Sequence, residues 1–331
     1  MEENLDIDSE WNTALEVESL LDLGVNELMS YHLRGHYRSK SLDLIDFSNQ
    51  VFYQNRLQMI PQHGEFIRQV PAIQYVKVDG VWEKNRNIIE AEKVANLIKT
   101  LQAEGKKSIG VITFNMQQQN LILDLLEAKN VGLYEDIFVK NIENVQGDEK
   151  DIIIFSLAYA PSPTGRMAMQ FGLLNLEKGE NRLNVAVTRA REKIYVVASI
   201  FPHQLQTENL LNNGAKILQR YLHYALEVSE GNYKPTLAPT SKQSVDWYLK
   251  NQLIEQYSVE INAAIAVPFA DLSTCIANRY KLFLTDDDLF YQALSVKEWF
   301  AYLPMQLRDK DWDFERKWSR VWWENFVKQN T

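Results

Sequence analysis

At 331 residues, the chain is long enough for two domains of ordinary size, each with its own hydrophobic core. Its composition, 46% hydrophobic and 24% charged with few glycines and prolines, is typical of a globular protein and excludes a collagenous or low-complexity chain. The net charge of −9 argues against binding nucleic acid by bulk electrostatics alone, although neutral groups can still follow a phosphate backbone.

The N-terminus and the cysteine content indicate the compartment. The first residues are acidic and lack the apolar core of a secretory signal, and no apolar run approaches the length of a membrane span. The single cysteine, Cys275, excludes an internal disulfide and a zinc cluster, which suits a reducing environment. We therefore expect a cytoplasmic protein with no membrane partner.

Short apolar strands alternate with amphipathic helices in residues 15–228. Strands are predicted at residues 73–78, 108–114, 137–142, 152–157 and 194–199, and helices at 39–52, 88–102, 117–128 and 209–226. This alternation predicts an α/β fold, in which a parallel sheet is covered by helices. Such sheets bind ligands at the carboxyl ends of their strands, so we expect residues 114–115, 144–149 and 188–191 to lie at that edge.

The composition changes after a stretch that contains prolines, a glycine and several serines. Residues 229–244 are predicted to be a linker, and residues 1–14 a flexible N-terminus. Residues 245–331 hold most of the tryptophans and predict a second, smaller α+β domain. Its predicted elements are a helix at 244–257, strands near 259–267, 271–277 and 280–285, and a long helix from about residue 296.

Two arginines occupy positions suited to phosphoryl transfer. Arg38 precedes the first predicted helix, and Arg189 is predicted to share one short helix with Arg191, just before the last strand. A guanidinium group presents a fixed fork of donors that can stabilise the charge developing on a γ-phosphate. Spacing alone leaves an ordinary surface or helix-start position as the alternative for Arg38.

A polar segment, Gln146-Gly147-Asp148-Glu149, precedes the strand at residues 152–157. Gly147 would let the backbone approach a ligand closely, and the flanking polar groups can hold ribose or phosphate. A simple polar turn between two strands is the alternative for this segment.

In chain order, these segments resemble four motifs of the C-terminal RecA-like half of superfamily-one helicases of the Upf/Dna2-like, 5′-to-3′ group. Residues 33–53 resemble motif IV, residues 109–118 the next strand with its nucleic-acid-contacting loop, residues 145–153 motif V, and residues 182–191 motif VI. Four motifs in the family order make the resemblance specific over residues 15–200. It implies a RecA-like parallel sheet between helices and a nucleic-acid-dependent ATPase.

The resemblance implies a role for each matching residue. Arg38 and Arg189 are implied as catalytic arginine fingers on the γ-phosphate, and Gln146, Gly147 and Glu149 as contacts on the nucleotide side. The positions implied to face a single strand of nucleic acid, DNA in preference to RNA, are Thr113, Phe114, Asn115, Gln118, Asn144 and Thr188. Arg191 more often has a structural role in such segments.

The motifs of the first motor half are missing from this sequence. It contains no GxxxxGK[ST] phosphate loop, and the nearest match, at residues 104–108, lacks the first glycine and follows a helix. We therefore expect ATP and Mg²⁺ to bind only with a separate chain that carries the first RecA-like domain.

The alternative is a non-catalytic nucleic-acid- or protein-binding module, either a truncated relic or a regulatory subunit. Arginines that point apart, or that are locked in internal ion pairs, would argue against the motor.

Residues 245–331 more faintly resemble the Vsr-like nuclease domain, of restriction-endonuclease fold, that is appended to some bacterial helicases. Asp271 matches the first metal-binding aspartate and Asp287 a second one, but Thr285 stands where the family has glutamate. The favoured interpretation is a degenerate fold with an acidic turn at residues 286–288, and an active metal-dependent DNA nuclease is less favoured. For the tryptophans in this region, core packing is favoured over base stacking.

Overall fold

The computed structural model describes residues 24–25, 28–29, 33–68, 70–132, 136–165, 167, 171–176, 178–205, 207, 213–233, 248–257, 267, 269–277 and 279–329. The predicted flexible segment 1–14, most of the predicted linker and all but the last residue of the predicted strand at 259–267 lie outside these residues. The chain divides into two compact units, Met1–Gly35 and His36–Thr331. In the first unit, the backbone N–H of Leu28 donates to the carbonyl of Gly24 at 2.8 Å.

Five parallel strands form the main sheet of the second unit. Two short strands come first in the chain, β1 (Gly35–His36) and β2 (Gln58–Met59), and the sheet consists of β3 (Ile73–Lys77), β4 (Ile109–Thr113), β5 (Ile137–Asn141), β6 (Lys150–Ser156) and β7 (Ala190–Ala198). The order across the sheet is β3-β7-β6-β4-β5, and every neighbouring pair is parallel. The predicted α/β class with a parallel sheet is thus confirmed.

Helices cover both faces of this sheet. They are α1 (Asp46–Val51), α3 (Ile88–Ala103), α4 (Met116–Ala128), α5 (Gly179–Val187) and α6 (Asn213–Ser229), whereas the short helix α2 (His63–Arg68) packs against a separate core formed by C-terminal residues. Successive side chains of a strand point to opposite faces, and β6 shows this clearly. Ile152 and Ile154 pack with α3 and α4, whereas Ile153 and Phe155 pack in the cluster that contains α5 and α6.

The predicted helix at residues 39–52 is interrupted. Its first part is a 3₁₀ turn, Leu42–Leu44, and α1 begins only at Asp46. The side chain of Asp43 accepts a hydrogen bond from the backbone N–H of Ala72 at 3.0 Å, while its carbonyl accepts one from the Tyr224 hydroxyl at 2.7 Å. These two long-range bonds hold the turn against β3 and α6 and compete with a continuous helix.

The C-terminal module, residues 248–329, has its own small sheet. Its elements are α7 (Tyr248–Tyr257), β8 (Leu272–Ile276), β9 (Arg279–Thr285), α8 (Asp288–Gln292), a π-helical turn (Glu298–Tyr302), α9 (Leu303–Asp309), β10 (Asp313–Lys317) and α10 (Ser319–Gln329). Strand β9 pairs antiparallel with β8 and parallel with β10. Among the described residues, none of the helices is both long and apolar enough to span a membrane.

The single long helix predicted from about residue 296 is therefore wrong. Asp311 adopts the left-handed conformation, with φ 59°, and the backbone N–H of Trp312 donates to the carbonyl of Leu307 at 2.9 Å, which ends α9. Trp312 is buried in the core of the module, so the chain turns inward and continues as β10. A local helical pattern does not reveal this change of direction, because it depends on the pairing of β10 with β9.

Candidate functional site

Arg38 lies in a short loop, residues 36–40, that is bonded to the start of β7. The hydroxyl of Ser39 donates to the carbonyl of Ala190 at 3.4 Å, and the backbone N–H of Ser39 donates to the His36 ring at 3.2 Å. Burial, together with the nearby charge of Arg38, lowers the pKa of His36 to about 4. The ring is therefore neutral at physiological pH and can accept the bond that shapes this Arg38 loop.

Glu149 joins two arginines that are far apart in the sequence. Arg38 Nε donates to Glu149 Oε2 at 2.7 Å, and Arg191 Nη1 lies 3.6 Å from Glu149 Oε1. The hydrogen bond from Arg38 lowers the pKa of Glu149, with smaller contributions from the charges of Arg191 and Arg189. We refer to Arg38, Glu149, Arg189 and Arg191 as the arginine cluster.

Arg189 completes the cluster through hydrogen bonds, with no salt bridge to any residue that the structure describes. Its Nε donates to the carbonyl of Val185 at 2.8 Å, and its Nη1 to the carbonyl of Asp148 at 3.1 Å. Burial lowers the pKa of Arg189, and the charge of Arg38 lowers it further. The structure thus brings the two predicted finger arginines close enough to repel each other, and both donate to Thr188, Arg38 to its carbonyl and Arg189 to its hydroxyl.

Both arginines of the last motif lie outside the helix that was predicted to hold them. Helix α5 ends at Val187, Arg189 lies between the helix and β7, and Arg191 is already in β7. The hydroxyl of Thr188 donates to carbonyls in the last turn of α5, and Ala190 pairs with Lys150 of β6. The strand ladder therefore begins directly after the helix, and the predicted shared helix is wrong.

The predicted residues do not share one edge of the sheet. Glu149 directly precedes β6 and Arg189 directly precedes β7, so the arginine cluster lies at the amino edge. Phe114 and Asn115 follow β4, which places them at the carboxyl edge. The expectation of a common carboxyl edge is wrong because the connection from β5 to β6, residues 142–149, leads from the carboxyl edge of the sheet back to its amino edge.

Gln146 and Gly147 lie on that connection and are exposed. Gly147 has a φ of 90°, and no heavy atom lies within 4 Å of the place where a Cβ would be. The backbone conformation, not a close contact inside the chain, therefore requires glycine at this position. The neighbouring carboxylate of Asp148 accepts a hydrogen bond from Lys140 Nζ at 2.7 Å.

Gln118, predicted to face nucleic acid, is fully buried. Its Nε2 donates to the carbonyl of Asn87 at 3.1 Å and to Ser156 Oγ at 3.0 Å, while its Oε1 accepts from the backbone N–H of Asn87 at 2.8 Å. All the polar groups of its amide are thus used within the chain. Its predicted contact with nucleic acid stays a prediction.

Glu90 lies at the centre of the same hydrogen-bond network. It accepts from the backbone N–H of Ala158 at 2.7 Å, from Ser156 Oγ at 3.3 Å and from Asn87 Nδ2 at 3.2 Å. Burial raises the pKa of Glu90 to about 7, against the opposing effect of these hydrogen bonds. Asn87 also donates to Ser199 Oγ at 2.8 Å. We refer to Asn87, Glu90, Gln118, Ser156 and Ser199 as the carboxyl-edge network.

Asn87 and Glu90 were not among the predicted site residues, although the sequence contains a capping pattern at these two positions. An asparagine followed three residues later by glutamate, just before an amphipathic run, is typical of a helix N-terminus. The side chain of Asn87 indeed caps α3 by accepting from the backbone N–H of Glu90 at 3.2 Å. The long-range bonds of both residues could not be read from that local pattern.

The other residues predicted to face nucleic acid differ in exposure. Phe114 is 6% exposed and packs against the rings of Phe155 and Tyr159, and Thr113 is also buried. Asn115 is half-buried and caps α4 by accepting from the backbone N–H of Gln118 at 2.8 Å. Asn144 is exposed, whereas Thr188 is buried.

In the C-terminal module, Asp271, which matches the first nuclease aspartate, is held by bonds from backbone N–H groups. Asp271 Oδ2 accepts from the backbone N–H of Thr285 at 2.8 Å, and burial raises the pKa of Asp271 to about 6. The nearby charge of Asp287, itself buried, raises that pKa further. Asp286 accepts from Ser319 Oγ at 2.7 Å at the start of α10. Within the described residues, no group of three or more histidines, cysteines or acidic residues is arranged to hold a metal ion.

The tryptophans of this module mostly contribute to its packing. Trp299 and Trp312 are buried, Trp318 stacks on Phe300 with 5.8 Å between ring centroids, and Trp322 is partly buried. Trp323 is 46% exposed.

Comparison with known proteins identifies the family. A family model described as an AAA domain matches residues 17–200, which is more than half of the chain. The chain belongs to this AAA domain family. The matched residues include the whole arginine cluster and the carboxyl-edge network.

Relatives of this AAA domain protein carry helicase names. The uncharacterized ATP-dependent helicase MG140 of Mycoplasma genitalium is 40% identical over 207 residues, which is 58% of this chain and 18% of the relative. Its homolog in Mycoplasma pneumoniae is 32% identical over 319 residues, 88% of this chain and 28% of the relative. The DNA replication ATP-dependent helicase/nuclease DNA2 of Bos taurus is 34% identical over 134 residues, 40% of this chain and 11% of the relative.

The chain spans less than a third of the length of these curated relatives. Among solved structures, the C-terminal domain of a possible DNA helicase from Lactobacillus plantarum has a TM-score of 0.34 and 15% identity, covering 54% of this chain and 96% of that one. The family match and the relatives' names support the predicted superfamily-one helicase domain of the Upf/Dna2-like group.

Proposed function

We propose that this chain is the second motor half of a nucleic-acid-dependent ATPase or helicase, and that Arg38 and Arg189 are its arginine fingers. The observation that carries the proposal is that these two arginines lie together at the amino edge of the sheet. Arg38 Nη1 donates to the carbonyl of Thr188 at 3.3 Å, and Arg189 Nη2 donates to the hydroxyl of the same residue at 3.4 Å. A phosphoryl-transfer site needs guanidinium groups aimed at one phosphate, and such groups contribute through electrostatic stabilisation. DNA is the proposed track in preference to RNA, in keeping with the relative named as a DNA replication helicase.

The ion pair between Arg38 and Glu149 is the strongest observation against this role, since a locked arginine could not act as a finger. The pair is not deeply buried, because the side chain of Glu149 is 39% exposed and that of Arg38 is 21% exposed. Pairs of this kind contribute only about 0–1 kcal/mol, so a triphosphate with several negative charges can displace Glu149. The same pair is what favours the second candidate, a binding module without catalysis.

ATP fits the donors of this chain only in part. Arg38 and Arg189 would contact the γ-phosphate, and the exposed Gln146 and Gly147 offer groups for the ribose or phosphates. The sequence has no phosphate loop, so we propose that the first RecA-like half holds the remaining phosphates and Mg²⁺. That half would belong either to an adjoining part of the same polypeptide or to a separate chain.

The C-terminal module is proposed to have a degenerate endonuclease fold with a structural acidic turn. The backbone bonds of Asp271 and the capping bond of Asp286 support a structural role for these carboxylates. If the module were a nuclease, Mg²⁺-dependent cleavage of DNA by the wild type would disappear in Asp271→Asn.

The test of the motor is ATP turnover by a complex, or by a longer polypeptide, that includes the phosphate-loop half. We expect Arg189→Ala to lower kcat about 1,000-fold, as removal of a finger arginine does in other phosphoryl-transfer enzymes, with nucleic-acid binding nearly unchanged. Arg220→Ala, at an exposed position of α6 outside the motifs, is the matched control and should have wild-type turnover. Full turnover in Arg189→Ala would reject the finger role and leave the binding module as the remaining candidate.

A further inference from the structure

The C-terminal module packs against a segment that lies next to the Arg38 loop. Ile60 belongs to the hydrophobic core of the module, together with Trp312. Trp312 Nε1 donates to the carbonyl of Pro61 at 2.8 Å in a buried hydrogen bond, and its ring contacts those of His63 and Phe66 with centroid distances of 4.8 and 5.3 Å. Residues 60–66 are therefore held by the module through a buried hydrogen bond and apolar contacts.

The same segment is bonded to the Arg38 loop. The backbone N–H of Gln62 donates to the carbonyl of Lys40 at 3.0 Å, and the backbone N–H of Lys40 donates to the carbonyl of Arg191 at 2.8 Å. A continuous chain of bonds thus leads from Trp312 through residues 61–62 to Lys40 and on to Arg191 of the arginine cluster.

A second set of bonds reaches the other side of Arg38. The backbone N–H of His63 donates to the carbonyl of Lys310 at 3.0 Å, and Lys310 Nζ donates to the carbonyl of Tyr37 at 3.5 Å. Tyr37 is 78% exposed, so its side chain gives the loop little anchorage. The module is therefore linked to the loop on both sides of the proposed finger, directly at Tyr37 and through Gln62 at Lys40.

We propose that the C-terminal module holds the Arg38 loop in the geometry that phosphoryl transfer requires, with Trp312 and Lys310 as positioning residues. This inference rests on the proposed function of Arg38. A displacement of about 1 Å in a catalytic group can reduce turnover about 100-fold, and an arginine on an unsupported loop would not keep its place. The module would then act on ATP turnover without touching ATP.

The first experiment measures backbone amide exchange in the full chain. Trp312→Phe keeps a ring in the core of the module but removes the donor to Pro61, and we expect about fivefold faster exchange at Lys40 and Gln62. Exchange at Val111 and Ile112 of β4 should not change. The matched control is Trp323→Phe, at an exposed tryptophan of the same module, and it should leave Lys40 unchanged. Faster exchange confined to residues 248–329 would overturn the proposal.

A second variant keeps the test decisive if Trp312→Phe destabilises the module as a whole. Lys310→Met removes a partly exposed cation and should speed exchange at Lys40 about twofold, whereas Lys310→Arg keeps a donor and should behave as the wild type. No change at Lys40 in Lys310→Met, or no rescue in Lys310→Arg, would contradict the role of Lys310.

The second experiment measures ATP turnover with the phosphate-loop half present. We expect Trp312→Phe to lower kcat about fivefold with the KM for ATP unchanged, because loop geometry and not ground-state binding is affected. Unchanged kcat in Trp312→Phe, with turnover lost in Arg189→Ala, would overturn the positioning role and leave the proposed function intact. Full turnover in Arg189→Ala would instead reject the proposed function itself.

Discussion

The two edges of the central sheet use polar residues in opposite ways. At the amino edge, the charged side chains of the arginine cluster remain partly exposed, and Arg38 and Arg191 both pair with Glu149. At the carboxyl edge, the network around Glu90 is buried, and the raised pKa of Glu90 keeps its carboxyl group partly protonated near neutral pH. A ligand can therefore rearrange the arginine cluster at a small cost in free energy. The carboxyl-edge network, in contrast, cannot change without disturbing the core.

This difference bears on the residues that the helicase resemblance implies. Those on the nucleotide side, Gln146, Gly147 and Glu149, are accessible. Among those on the nucleic-acid side, Phe114 and Gln118 are buried and contribute to folding. We therefore expect substitutions at the carboxyl edge to act mainly on stability, and substitutions at the amino edge mainly on turnover.

The largest expected effect is that of Phe114→Ala. The ring packs in the core against Phe155 and Tyr159, and its removal should lower the free energy of unfolding by about 4 kcal/mol. Urea denaturation followed by circular dichroism measures this change. Met116→Ala, at an exposed position two residues further on, is the control and should change stability by less than about 0.5 kcal/mol. A small stability loss combined with weak binding of single-stranded DNA would instead place Phe114 at a nucleic-acid interface.

A pH-dependent effect is expected from Glu90. Its pKa is raised from 4.5 to about 7 in the folded state, so the folded protein keeps a proton that the unfolded chain releases. The contribution of Glu90 to stability is therefore full below pH 4.5 and declines as the pH rises to about 7. Between pH 5 and pH 8, the free energy of unfolding of the wild type should fall by roughly 2–3 kcal/mol more than that of Glu90→Gln, because the glutamine side chain does not titrate.

Unfolding in urea at the two pH values, for both proteins, measures this difference. The matched control is Glu92→Gln, at an exposed position of the same helix, which should keep the pH dependence of the wild type. An equal loss in the wild type and in Glu90→Gln would mean that Glu90 is ionised in the folded state over this whole range.

The sequence predicted the residues of the amino edge better than those of the carboxyl edge. Apolar runs located every strand of the main sheet, and the resemblance to helicase motifs selected Arg38 and Arg189, which the structure brings together at Thr188. The edge of the sheet at which these arginines lie depends on the path of the connection between β5 and β6. Local periodicity in the sequence does not predict that path. The roles of these residues in catalysis stay predictions.

The parts that sequence patterns did not predict are those that depend on contacts between distant residues. Gln118 is a polar residue that was predicted to face nucleic acid, yet it lies on the buried face of α4 with Ile122 and makes three hydrogen bonds to Asn87 and Ser156. Strand β10 was assigned to a helix because its pairing with β9 depends on the turn at Asp311. In both cases tertiary packing overrides the local preference.

A smaller effect is expected from Gly147→Ala. Since its φ is 90° and nothing crowds the position, the substitution tests backbone strain alone and should lower the free energy of unfolding by about 1–2 kcal/mol. Gly64→Ala is the control, because Gly64 lies in helix α2 with open space around it and should be neutral or stabilising. Unchanged stability in Gly147→Ala would show that the connection between β5 and β6 can accommodate alanine at this position without backbone strain.

The smallest effect on stability is expected from Glu149→Gln, although this residue joins Arg38 to Arg191. Because the pKa of Glu149 is lowered by Arg38, its contribution is present at neutral pH and is lost as the pH falls below the ordinary value of 4.5. Solvent screens the partly exposed pair, so we expect a loss of less than about 1 kcal/mol at pH 7, shrinking further in 1 M NaCl. Urea unfolding at low and high salt measures it, with the exposed Glu143→Gln as the control. A loss above about 2 kcal/mol would mean that Glu149 locks Arg38 in place, and the amino edge would then be as rigid as the carboxyl edge.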